Sequence, residues 1–198
     1  MPLISSGISG TLASAQAAAA EFTKVPVNIV DTHSTSAGLA LVVLATARAV
    51  KQGRSLPEVT QIAREVAQKL HLLFAVDTLK YLHKGGRIGG ASRYLGTALD
   101  IKPILFIDGE GKIDALERVR TKRKALDRLV TLTEEQSEGY PIHIGVIHAN
   151  APVAAAVLQA RISEQLKCME IFTLELSPAI GIHVGPGTIG IAFYTEKA

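Results

Sequence analysis

Two strand segments, residues 103–107 and 113–119, flank the turn Asp108-Gly109-Glu110-Gly111, and this hairpin signal constrains the fold more than any other stretch of the chain. A hairpin commits its strands to antiparallel pairing. The segment upstream follows a different rhythm. Residues 3–4 read as the end of a strand, 11–22 as a helix, 27–30 as a short buried strand, 31–36 as a polar turn and 37–51 as an apolar helix ended near Gly53. Ser55-Leu56-Pro57-Glu58 fits a capping box with proline in the first turn and opens a helix to about residue 70. Strand–helix alternation implies parallel pairing, because a crossover helix returns the chain to the same end of the sheet. The sequence therefore carries two kinds of sheet.

Beyond residue 71 the pattern predicts a strand at 72–76, a short helix at 78–83 stopped by Gly85-Gly86, and a helix at 88–99. After the hairpin come a helix at 121–137, a strand at 142–148, a helix at 152–167, and strands at 170–176 and 187–194. The expected fold is α/β. A partial parallel α/β lobe (1–71) precedes an α+β lobe (72–198) whose six strands form a largely antiparallel sheet. Two parallel strands are too few for a sheet covered on both faces, so the chain is expected to begin inside a domain.

At 198 residues a sizeable core is possible, with roughly 70% of the extended surface removed from water on folding. The hydrophobic share is 47% but aromatics make up 5% and tryptophan is absent, so aliphatic side chains must fill the interior. Such an interior suits an alkyl chain. The strongest apolar stretch, 37–47, is shorter than the ~18–20 residues that span a bilayer, and no basic leader precedes an apolar run at the start. The single cysteine, Cys168, has no internal disulfide partner and no metal-ligand spacing around it, which fits a reducing, cytoplasmic setting. The formal charge is +3, with its main local source in Arg118, Arg120, Lys122, Arg123 and Lys124. That run reads as a solvated helix start. It carries no interleaved aromatic platform, which argues against nucleic acid as a partner.

Two segments look built for an anion. Ile180-Gly181-Ile182-His183-Val184-Gly185-Pro186-Gly187 sets one histidine among three glycines and a proline, a frame expected to form a turn that lets a ligand approach the backbone. Ser5-Ser6-Gly7-Ile8-Ser9-Gly10-Thr11 places hydroxyls and glycines just before an alanine-rich helix, where free N–H groups and the positive end of the dipole collect. Together they suggest a single acidic head group. Each also has a structural reading: His183 as a hydrogen-bonded turn residue, and the serines as plain helix caps. His143 and His148 point to opposite faces of one strand, and His33, His71 and His83 have no partners at ligand spacing, so no metal is expected.

Leu79-Lys80-Tyr81-Leu82-His83-Lys84-Gly85-Gly86-Arg87-Ile88, Leu95-Gly96, and Ile101-Lys102-Pro103-Ile104 complete a pattern with the two anion segments and Val30-Asp31-Thr32. In order and spacing it resembles the DegV family of bacterial fatty acid-binding proteins over essentially the whole chain. The resemblance implies two domains holding one fatty acid in a tunnel between them, with no cofactor beyond that ligand. It implies a carrier that presents the carboxylate to a fatty acid kinase, which makes an acyl phosphate for phospholipid synthesis, with transient membrane contact as a further possibility. The head-group contacts it implies fall on Ser9 and Gly10, within the motif that also holds Ser6 and Thr11, and on His183, with Arg87 near the mouth.

Family members also begin with an Asp-Ser-Thr strand and later carry a Thr-Ser-Gln-Pro-Ser segment, neither of which occurs here, so the chain looks like a partial member. The competing reading is a serine-dependent acyl hydrolase using Ser9 and His183, for which only Asp31 or Asp77 could orient the histidine.

Overall fold

The computed structural model describes residues 1–22, 24–96 and 101–196. Alternation of apolar side chains along the strands sends them to two faces, and each face is covered by helices. Strands β3 (His71–Ala75), β4 (Lys102–Ile107), β5 (Ile113–Val119), β6 (Ile142–His148), β7 (Cys168–Glu175) and β8 (Ile189–Thr195) form one sheet in the order β5-β4-β3-β8-β6-β7. Every pairing is antiparallel except β6 with β7. The β6–β7 pair is joined by the crossover helix α6 (Pro152–Gln165), as parallel pairing requires.

On one face α5 (Lys122–Ser137) and α6 bury Leu129, Leu158 and Ile162 against Ile144, Ile191 and Phe193. Helix α2 (Ser36–Lys51) contributes Ala37 and Leu41 to the opposite face, beside Leu72, Phe74 and Ala192. Its approach is close because Gly145 has no side chain. A Cβ built there would lie 2.7 Å from both the Ala37 Cβ and the Phe172 ring.

The amino-terminal part has a sheet of two strands, β1 (Pro2–Leu3) parallel to β2 (Val30–Asp31). Expected strand 27–30 is thus reduced to its last residue plus Asp31, and Val27 is 39% exposed. Helix α1 (Thr11–Glu21) buries none of its residues. Helix α3 (Leu56–Lys69) opens on the expected capping box: Glu58 accepts from the Ser55 N–H at 2.8 Å and Pro57 sits in the first turn.

Two elements differ from expectation. The helix expected at 88–99 is a 3-10 segment, Gly89–Tyr94, and the expectation for 97–99 falls outside the described residues. Gly89 has φ +49, and a Cβ there would meet the Ile113 carbonyl oxygen at 2.1 Å, so this segment is pressed against β5 too closely for a regular helix. The frame around His183 is likewise not a turn. Pro178–Val184 form a helix, α7, with Pro178 in its first turn, and only Gly185 and Gly187 take positive φ.

Candidate functional site

Helix α7 ends where its sequence runs out of residues that can continue it. Gly185 adopts φ +79, and the Thr188 hydroxyl donates to the Val184 and Gly185 carbonyls at 3.0 and 2.8 Å, satisfying acceptors that the helix end leaves free. His183 is held in that last turn. Against it packs α4 (Lys80–Lys84), and glycines on both sides allow the contact. A Cβ on Gly85 would fall 2.1 Å from His183 Nδ1, and one on Gly185 would fall 2.3 Å from the Tyr81 ring. Gly85 therefore makes room for an imidazole as well as ending a helix. His183 Nδ1 is buried with no hydrogen-bond partner among the described residues.

The ring lines a cavity of about 260 Å³ between the amino-terminal turns and the six-stranded sheet. Its wall is mostly aliphatic: Ile4 and Ile8 from the first turn, Leu72 from β3, Ile107 and Ile113 from the hairpin, and Ile180 from α7. Four of the six expected head-group residues share it, namely Ser9, Thr11, Arg87 and His183. Ser6 and Gly10 stand outside the wall. The Ser6 N–H faces the Asp31 carboxylate at 3.2 Å, and Gly10 is the exposed residue preceding α1.

Ser9 Oγ lies 2.8 Å from Thr11 Oγ1 and accepts from the Thr11 N–H at 3.3 Å, so it serves the start of α1. Arg87 donates from Nε to the Ile8 carbonyl at 3.1 Å and from Nη1 to the Gly85 carbonyl at 2.8 Å, tying the first turn to the end of α4. It makes no ion pair among the described residues, which leaves its positive charge available beside the cavity.

Residues 31–36, read as a plain polar turn, supply two further members of the wall, Thr35 and Ser36. Both His33 and Ser36 adopt left-handed φ, +46 and +49, a costly conformation for residues with a Cβ. The hydroxyls of Ser34 and Thr35 are buried without partners. Three hydroxyl residues in a row ahead of a helix were the available signal, the same one that marked residues 5–11. Asp31 anchors this turn. Burial alone would push its carboxyl up, but hydrogen bonds from Ser6 and the His33 N–H outweigh that and hold it below the usual carboxylate range.

The hairpin tip reaches across to these turns. Ser5 Oγ donates to the Gly111 carbonyl at 2.7 Å, and His33 Nδ1 lies 2.9 Å from the Gly109 carbonyl. A Cβ on Gly7 would strike the Gly111 carbonyl oxygen at 2.5 Å.

Among the described residues, the candidates for a hydrolytic triad have other partners. Ser9 Oγ is engaged by Thr11, Asp31 by Ser6 and His33, and Asp77 lies beside Lys102 and Lys122. His143 bridges two carboxylates, its ring nitrogens each 2.7 Å from an oxygen of Glu170 or Glu196. Among the described residues no three His, Cys, Asp or Glu side chains are grouped to hold a metal, and no helix is long and apolar enough to cross a membrane. Only the second half of the basic run is a helix start: Lys122, Arg123 and Lys124 open α5, which Thr121 caps by accepting from the Lys124 N–H, whereas Arg118 lies on β5 over the Tyr94 ring.

Comparison with known proteins follows the same outline. A DegV domain-containing protein of Clostridium acetobutylicum is 38% identical over 199 residues, covering 98% of this chain and 69% of the relative. Protein DegV of Bacillus subtilis is 34% identical over 192 residues, 96% of this chain and 68% of its own length. The chain thus spans about two thirds of the curated relatives it matches. Among solved structures, one described as the fatty acid binding of a DegV family protein from Thermus thermophilus superposes with a TM-score of 0.91 at 34% identity, covering 97% of this chain and 69% of that one. The structure of Bacillus subtilis DegV, described as a fatty acid binding protein, superposes with a TM-score of 0.85 at 31% identity over 98% of this chain and 69% of that one. The profile of the DegV family, a family of uncharacterised proteins, matches residues 3–196, and the chain belongs to that family.

Proposed function

We propose that this chain is a lipid-binding carrier that holds a long-chain fatty acid in the cavity beside His183 and presents its carboxylate to a fatty acid kinase for acyl phosphate formation. The observation that carries the reading is a single cavity with an aliphatic wall into which Ser9, Thr11, Arg87 and His183 converge. Neighbours at 34% and 31% identity described as binding fatty acids support it.

The division of labour follows from magnitudes. Each buried methylene contributes about 0.8 kcal/mol, so ~15 carbons offer roughly 12 kcal/mol before association costs. The tail supplies affinity. A charge-assisted hydrogen bond adds about 1.5–3 kcal/mol, while an unpaired buried carboxylate costs more, so the polar groups decide which end enters. In this reading the His183 ring, the Ser9 and Thr11 hydroxyls and the Arg87 guanidinium hold the head group. Gly10 and Ser6 shape the turn that brings Ser9 there. The kinase and transient membrane contact rest on the resemblance to the family, and a cytoplasmic setting on the single cysteine.

The test is mass spectrometry of the denatured protein after purification, with direct titration of hexadecanoic acid. Expected are co-purified fatty acid and saturable binding that His183→Ala weakens; a folded protein that carries none and binds none overturns the proposal. Turnover of generic acyl esters, abolished by Ser9→Ala, would favour the hydrolase instead.

A further inference from the structure

Two helix starts border the cavity, and they are unequally served. At α1 the Ser9 hydroxyl takes the Thr11 N–H, and Gly10 and Thr11 are open to water. At α2 the preceding residue, Thr35, makes no capping bond. It is 9% exposed, lines the cavity, and its Oγ1 is buried with no partner. The N–H groups of Ser36 and Ala37 have no preceding carbonyl within the helix to reach, whereas those of Gly38 and Leu39 already donate to the Thr35 carbonyl. The first turn of this 16-residue helix contains no acidic side chain, and the nearby Asp31 is engaged by Ser6 and His33. The positive end of α2 therefore meets the cavity without a compensating negative group.

An alkyl chain cannot satisfy such a corner, and an oxyanion can. We propose that one oxygen of the bound carboxylate is received at the start of α2, by Thr35 Oγ1 and the Ser36 N–H, the two residues of that start which line the cavity. This rests on the fatty acid reading and adds Thr35 to the binding residues. The left-handed φ of Ser36 then has a use: it presents the first amide of α2 to the ligand.

The experiment titrates the protein with hexadecanoic acid and with hexadecanol, which has the same tail and no charge. Thr35→Val keeps the shape of the side chain and removes Oγ1. It is expected to weaken the acid about tenfold or more and the alcohol less than about twofold, as loss of one charge-assisted hydrogen bond requires. Thr35→Ser is expected to restore acid binding. Should Thr35→Val fail to fold, backbone NMR of the unaltered protein decides: the Ser36 amide proton moves downfield with the acid and stays in place with the alcohol. Equal losses for acid and alcohol, unchanged acid affinity, or a still amide overturn the proposal. Failure of the unaltered protein to bind either compound removes the fatty acid reading itself.

Discussion

At the scale of single residues, the site depends on atoms that are missing as much as on those present. Gly85 leaves the space that His183 Nδ1 occupies, so Gly85→Ala is expected to push the imidazole from its place. Fatty acid affinity should fall about tenfold, the scale of one charged hydrogen bond, while thermal unfolding shows the fold retained. Gly185→Ala should be worse for stability, by about 1 kcal/mol or more, since its φ of +79 and the Tyr81 ring both exclude a side chain; denaturant unfolding measures the loss. Tyr194 offers a separate check. Burial first, with the nearby Glu170 adding to it, pushes its phenol up to about 12, so an alkaline absorbance titration should show a late step that belongs to Tyr194. Its protonated form is the one the folded state favours. The stabilisation is therefore complete below pH ~10 and disappears as pH rises through about 12, and Tyr194→Phe removes that step. His183 and Ser9 were legible because glycine and hydroxyl patterns mark them locally. Thr35 was hidden, since its importance lies in what it fails to bond and only tertiary burial reveals that.

At the scale of elements, the hairpin, the capping box of α3 and the alternating strands were all readable, because turn chemistry and side-chain period act within a few residues. Helix α7 was not. Its glycines argue for a turn, but Pro178 starts it, Thr188 satisfies its last carbonyls and α4 packs on its flank, so contacts distant in sequence override a poor local propensity. Strand β2 was over-read for the opposite reason: of the expected residues 27–30, only Val30 finds a sheet partner. Helix α2 joins the two parts of the molecule, lining the cavity at its start and packing on the sheet along its length. Gly145→Val should wedge it away from β6, costing about 1–3 kcal/mol and weakening ligand binding as the start of α2 moves. Leu158→Ala, fully buried on the opposite face, should cost about 2–5 kcal/mol in denaturant unfolding yet leave affinity unchanged in the molecules that remain folded.

At the scale of the whole molecule, the cavity is assembled from sequence ends that meet only in three dimensions, and that assembly has its own pH dependence. Arg48 at the far end of α2 pairs with Glu170 on β7, and this pairing first, helped by His143 and opposed by burial, holds the Glu170 carboxyl below its usual range. A depressed carboxylate stabilises above its unfolded value and loses that contribution as pH falls. Acid unfolding should therefore steepen below pH ~4.5, and Glu170→Gln should flatten it. The tip of the β4–β5 hairpin spans the same gap from the other side, with Gly111 gripped by Ser5 across 106 positions of chain. Mild denaturant that frees those few bonds would spill the contents of the cavity while the sheet stays intact. A bound lipid would in turn slow hydrogen exchange at Gly111 and Ser5 together, linking the two shores of the molecule like a rope pulled taut.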